Sequence, residues 1–161
     1  MEIRPASDAD FDCLWPVIQE TFASGETYPF PPDTTREEGY RIWMKAPRAT
    51  YVALWDGKIA GTYYLKPNQP GLGAHVCNAG YIVHSASRGR GIGRRMCEHS
   101  LSEARKLGFK AMQFNLVVAT NTHAIRIYLD CGFQIVGRLP QAFASPTKGL
   151  VDALVMYQWL G

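Results

Sequence analysis

The sequence is poor in charge and in cysteine. Only 19% of its residues are Asp, Glu, Lys or Arg, and no run of one sign is long enough to stay solvated, so disorder is excluded as the main state. The 17 basic residues exceed the 14 acidic ones by three, well short of the concentrated positive face that nucleic-acid binding needs. Four cysteines, at positions 13, 77, 97 and 131, form no Cys-x-x-Cys pair and no His and Cys grouping at zinc spacing. Reduced thiols are expected, and no metal. No stretch approaches the ~20 apolar residues that span a bilayer, and Met1 to Pro5 shows no basic region followed by an apolar run. These absences predict a cytoplasmic protein with neither a membrane nor a nucleic acid as partner.

What is present is enough for one core. Hydrophobic residues make up 47% of 161 positions, which at ~150 residues per domain predicts a single domain over residues 1–161. Glu2 to Arg4 reads as a short strand. Ser7 caps a helix that carries Phe11, Leu14, Trp15 and Ile18 at helical spacing and runs to about Ala23, with Pro16 inside it. Ser24 to Asp33 is a loop rich in Pro, Gly and aromatics, and Thr35 caps a second helix that stops before Pro47. Thr50 to Trp55 and Lys58 to Leu65 are strands joined by Asp56-Gly57, a strong hairpin signal. Val76 to Val83 is another strand, in which Gly80 marks a bulge or a close backbone approach. A helix from Gly91 to Leu107 ends at Gly108. After it come a strand (Ala111 to Val118), a helix (Thr122 to Asp130) and two strands (Phe133 to Leu139, Leu150 to Trp159). The fold class is therefore α/β (α+β), a mixed and mostly antiparallel sheet flanked by helices in the order β α α β β β α β α β β.

The most informative segment runs from Tyr81 to Arg95, YIVHSASRGRGIGRR. It passes from apolar strand through a glycine-spaced turn into a helix, where successive N–H groups and the helix dipole favour an anion such as a pyrophosphate. A P-loop needs Gly-Lys followed by Ser or Thr, which is missing. A dinucleotide-binding turn needs Gly-x-Gly-x-x-Gly in an N-terminal βαβ unit, whereas these glycines lie mid-chain as Gly89-x-Gly91-x-Gly93.

Arg88-x-x-Gly91-x-Gly93 resembles the acetyl-CoA pyrophosphate loop of the GNAT superfamily of N-acetyltransferases. Asn121-Thr122-His123-Ala124, with Tyr128 and then Gly132-Phe133 beyond it, resembles that family's second signature, one strand further on. The order of elements matches from Ile3 to Trp159. The resemblance implies an acetyl-CoA-dependent N-acetyltransferase that releases CoA as product. It implies backbone contacts from Ile82 and Val83 to the pantetheine arm, and pyrophosphate held by backbone N–H groups of Arg88, Gly89, Arg90, Gly91, Ile92 and Gly93. It further implies that Asn121 contacts the pantetheine amides, that Ala124 leaves room for the cofactor, and that Tyr128 lies near the thioester sulfur. Many members pair as homodimers, for which Trp43 and Trp159 are candidate interface aromatics.

Acetyl transfer needs a neutral amine, an oxyanion stabiliser and a proton for the departing thiolate. A phenol of pKa ~10 suits the last task, since a carboxylate is already ionised at neutral pH. Tyr128 fits that role, although its spacing with Ile125 and Leu129 is also that of a core aromatic. The position where many relatives carry an acid is Leu116 here, which leaves the base open between His84 and Glu26, the latter better suited to pairing with an ammonium. The resemblance further implies that Glu26, Tyr28 and Phe30 occupy the loop that shapes the acceptor pocket, with the Phe143 to Gly149 loop placed to close it. Aromatic walls and one carboxylate favour a small-molecule amine. A peptide or protein acceptor and a non-catalytic CoA-binding module are the alternatives.

Overall fold

The computed structural model describes residues 1–161 and has the expected order of elements. Seven strands, β1 (Glu2–Pro5), β2 (Ala49–Trp55), β3 (Lys58–Pro67), β4 (Val76–Val83), β5 (Ala111–Val118), β6 (Gln134–Ser145) and β7 (Gly149–Trp159), form one sheet in the order β1-β2-β3-β4-β5-β7-β6. Four helices, α1 (Phe11–Ser24), α2 (Arg36–Tyr40), α3 (Ile92–Lys106) and α4 (Thr122–Asp130), flank it. No helix is long and apolar enough to cross a membrane.

The local signals act as their chemistry requires. Asp56 and Gly57 both take positive φ, 49° and 74°, the twist that lets a two-residue turn join β2 to β3. Asp10 accepts from the Ser7 N–H at 2.7 Å and binds Arg4 through both oxygens at 2.8 Å, which fixes the start of the α1 region. The second helix begins with a reciprocal Thr35 and Glu38 cap and continues past Tyr40 as a π turn to Lys45.

Two cores sandwich the sheet. One lies under α3, built around Met96, Cys97, Leu101, Met112, Phe114 and Met156. The other lies under α1 and α2, around Phe11, Leu14, Ile18, Phe22, Trp43 and Ile82. Trp43 is fully buried in the second core and donates Nε1–H to Thr62 at 3.0 Å, so it is no interface residue; Trp159 is 60% exposed.

The strand expected to end at Leu139 runs on to Ser145. Register shifts after Leu139 absorb the interruption of the ladder, so Phe143 to Ser145 belong to a long hairpin and only Pro146 to Lys148 form its tip. Gly80 carries no bulge. It stands opposite Tyr64 in an unbroken ladder, and a Cβ there would lie 2.7 Å from Tyr64 Cε1 and 2.9 Å from the Tyr28 hydroxyl. The glycine answers a close approach by two tyrosines.

The feature that positions the site is the one parallel pair. β4 and β5 are joined only at Val76 with Ala111 and Cys77 with Met112. Beyond these the strands part, with Asn78 Nδ2 donating to the Gln113 carbonyl at 2.9 Å as the last bridge.

Candidate active site

The split between β4 and β5 exposes backbone groups that a sheet would ordinarily pair. Hydrogen bonds of 2.8 Å from Asn68 N–H to Val76 C=O and from His84 N–H to Ala60 C=O bracket the β3–β4 ladder. Antiparallel alternation then turns the backbone of even-numbered β4 residues toward β3 and that of Ala79, Tyr81 and Val83 toward the split. Val83 turns its backbone toward the split, as a contact with the pantetheine arm requires. Ile82 does not: it stands opposite Thr62 with its backbone facing β3, and Tyr81 takes its place as the second backbone facing the opening. The period of two in the strand, counted from His84, was the signal for this.

At the wide end of the split the chain curls into the glycine turn. Gly89 and Gly91 have φ of 78° and 72°, the left-handed region that favours glycine. Nothing within 4 Å would meet a Cβ on either. Gly91 is the N-cap of α3, and no side chain caps that helix. The N–H groups of Gly89 to Arg94 have no backbone acceptor, whereas Arg88 N–H is used, at 3.4 Å, by Ser85 C=O. Four arginines surround this turn: Arg94 pairs with Asp130 of α4 at 2.6 Å, Arg90 lies over the Trp55 ring at 5.4 Å, and Arg88 and Arg95 are exposed. Ile92 keeps its side chain buried under the helix and offers only its backbone. Unpaired donors at a helix N-terminus amid cations fit a diphosphate.

The opposite wall is α4. Asn121 caps it, its Oδ1 accepting from Ala124 N–H at 3.4 Å, which leaves Nδ2 to donate elsewhere. Tyr128 packs its ring against Phe114 at 4.5 Å and Tyr81 at 6.0 Å between centroids. Its hydroxyl has no partner within the protein. Gln158 Oε1 is the sole buried side-chain polar atom without one, so the Tyr128 hydroxyl reaches solvent. Burial of the ring, the largest influence, raises the Tyr128 pKa well above the usual phenol value and keeps it a donor.

The mouth of the split is roofed by the loop after α1. Tyr28 stacks on Phe30 at 15° and meets Trp43 edge-on, and its hydroxyl donates to the Tyr81 carbonyl at 2.9 Å. Glu26 is engaged already. Its Oε2 accepts from Ser145 at 2.9 Å and its Oε1 from Thr147 at 2.8 Å, and these bonds, Thr147 first, hold its pKa below the usual carboxylate value. Gly25 brings its backbone close to Pro146, 3.3 Å from a Cβ built there. The entrance loop and the hairpin tip thus form one wall, a partnership invisible to sequence because Glu26 and Thr147 lie far apart in the chain.

His84 is also committed. Its Nδ1 accepts from Ala86 N–H at 3.1 Å, capping the short turn Ser85–Ser87. The neutral ring then carries its proton on Nε2, and no free nitrogen remains to take one from an amine. Leu116 sits in a β5 bulge beside exposed Asn115, so no carboxylate faces the split from that strand.

Comparison with known proteins gives the family. Residues 15–133 match the acetyltransferase (GNAT) family. The chain is 34% identical over 152 residues to N-acetyltransferase aca1 of Schizosaccharomyces pombe, covering 84% of this chain and 72% of that protein. A GCN5-related N-acetyltransferase from Kribbella flavida superposes with a TM-score of 0.94 at 41% identity, over 99% of this chain and 97% of that one. The putative acetyltransferase yncA from Salmonella typhimurium, solved with its cofactor acetyl-CoA, shares the fold with a TM-score of 0.86 at 20% identity, over 100% and 94% of the two chains. A split sheet, an uncapped helix behind a glycine turn and these relatives lead to one assignment: the chain belongs to the GNAT family of acetyl-CoA-dependent N-acetyltransferases.

Proposed function

We propose that the enzyme acetylates the amine of a small molecule by direct attack on the thioester, within the split between β4 and β5. Acetyl-CoA supplies an acyl carbon activated by a sulfur leaving group. The backbone N–H groups from Gly89 to Gly93 hold the pyrophosphate, with Arg88 and Arg90 beside it. Val83 and Tyr81 present backbone partners to the pantetheine arm, Asn121 donates through Nδ2, and Ala124 leaves space. Every one of these contacts fixes geometry, which is where proximity lowers the barrier.

In the chemical step the amine nitrogen forms the new C–N bond and the C–S bond breaks. The nitrogen sheds a proton and the sulfur gains one. Tyr128 donates a hydrogen bond to the departing sulfur; with its pKa raised by burial, it passes its own proton on only as it regains one from the solvent its hydroxyl reaches, which balances the proton the amine gives up. Tyr28, whose O–H points at the Tyr81 carbonyl, turns its oxygen lone pairs toward the incoming amine and positions it. Since His84 and Glu26 are committed to structural bonds, the amine enters as the free base and gives its proton to water at the mouth.

The observation that carries the small acceptor is the clamp between Glu26 and the hairpin tip, made by Ser145 and Thr147. A long peptide needs an open groove with several backbone partners, whereas the clamp ties the entrance loop to the hairpin tip at the mouth. A thiol-release screen with acetyl-CoA over amino acids, polyamines, aminoglycosides and short peptides tests the reading. Turnover of small amines supports it; acetylation of peptide N-termini alone overturns it in favour of a peptide acceptor, and acetyl-CoA binding without any thiol release makes the chain a binding module.

A further inference from the structure

The acceptor side of the split contains a cation with no acid beside it. Lys66 of β3 stands opposite Asn78 of β4, so its side chain shares a sheet face with Tyr64 and Gly80. The Tyr64 ring lies across Gly80, 2.7 Å from where a Cβ would be, and its hydroxyl lies 3.5 Å from Asn78 Oδ1. Lys66 Nζ rests 5.3 Å from the centroid of that same ring. The ammonium therefore sits above β4 where the strands part, beside the Gly80 surface over which the Tyr28 hydroxyl also lies.

Lys66 is half-buried and takes part in none of the molecule's six ion pairs. The polar side chains of β3, β4 and β5 next to Lys66 across the split are neutral carboxamides. Asn115 Nδ2 donates to Asn68 Oδ1 at 2.7 Å, Gln113 Nε2 to Asn115 Oδ1 at 3.0 Å, and Asn78 to the Gln113 carbonyl. A partly desolvated ammonium among neutral groups favours an anion arriving from outside. Gly80 and Asn78 are two residues apart, about 7 Å along a strand, so an anion at Lys66 lies within a few bonds of an amine at the Tyr28 hydroxyl, which lies over Gly80.

We propose that Lys66 binds a carboxylate on the acceptor, and that the substrate is a small amine bearing a carboxylate within a few bonds of its nitrogen, as in an amino acid. This rests on the small-molecule reading above and narrows it. The Lys66 ammonium pairs with the carboxylate, while Tyr28 positions the amine.

The test compares the common L-α-amino acids with their carboxamides in the thiol-release assay. An amide's amine is less basic and more often neutral, so a preference for the acid cannot come from amine protonation. The acids are expected to react with a KM on the order of tenfold to a hundredfold lower than the amides, the range of a charged hydrogen bond. Lys66→Met is expected to bring the acid KM up to that of the amide with CoA affinity unchanged, and Lys66→Arg to restore part of the difference. Calorimetry of the best acid into CoA-saturated protein should show the same loss in Lys66→Met without any turnover. Equal KM for acids and amides in the wild type, or a preference that survives Lys66→Met, overturns the proposal and leaves the small-amine reading intact. Peptide N-termini reacting while acids and amides alike stay inert overturns the small-amine reading itself.

Discussion

Gly91→Glu separates the glycine turn's role in the fold from its role in binding. Gly91 has φ of 72°, where an L residue costs about 1–2 kcal/mol, and nothing within 4 Å would meet the new Cβ. The variant should fold, with Tm lowered by roughly 2–8 °C for a chain of this size. In the complex the new carboxylate stands among the donors meant for pyrophosphate. Two like charges about 4 Å apart repel by about 1 kcal/mol in bulk water and about 4 kcal/mol at a surface-like effective dielectric. Two phosphates and the lost space place the CoA affinity at least a hundredfold down. Calorimetric titration of CoA measures it, with Gly91→Ala as the control that carries the backbone strain without the charge. A folded Gly91→Glu protein that binds CoA like the wild type would refute the reasoning and move the phosphate site elsewhere.

Tyr128→Phe retains the ring packed on Phe114 and removes only the hydroxyl; kcat should fall about tenfold to a thousandfold with CoA affinity nearly unchanged, and a variant as fast as wild type would reduce Tyr128 to packing. His84→Ala should cost about 1 kcal/mol as a lost cap and leave the pH–rate profile where it was, whereas a shifted alkaline limb would make His84 the base after all. Glu26→Gln should raise the acceptor KM far more than it changes CoA affinity, because the ionised clamp is weakened; equal effects on both would refute the clamp. Since the Thr147 and Ser145 hydrogen bonds hold the Glu26 pKa below the ordinary carboxylate value, the clamp is complete at neutral pH and is lost only as the pH falls through that lowered value, so acceptor KM measured from pH 5 upward should show no inflection from this carboxyl.

Local chemistry explains what the sequence made legible. The Asp56-Gly57 turn and the glycine-spaced entry to α3 are each written within a few consecutive residues, and both appear as expected. Gly80 was legible only as an exception inside a strand. Which exception it marked, a bulge or a close approach, depended on Tyr64 and Tyr28, one across the ladder and the other on a distant loop. The full length of the hairpin that closes the mouth is hidden in the sequence because Pro140 and Gln141 interrupt an apolar pattern, and pairing with β7 resumes only at Phe143.

The site residues divide along the same line, and the division carries a rule for reading others like them. A sequence shows that a side chain owns a lone pair; only the fold shows whether that lone pair is already used. His84 and Glu26 have the right atoms for a base and an ammonium partner, yet one caps a turn two residues away and the other ties two distant loops together. Ile82 fails for a related reason, since its backbone groups belong to β3 by the alternation that turns those of Tyr81 and Val83 outward. Tyr128 and Lys66 are the opposite case. One has a hydroxyl with no protein partner and the other an ammonium with no acid, and both border the same opening. In a fold that pairs almost every buried polar group, the groups left unpaired at a cleft are where a substrate's atoms are expected, so activity should respond to Tyr128 and Lys66 more sharply than to the better-bonded His84.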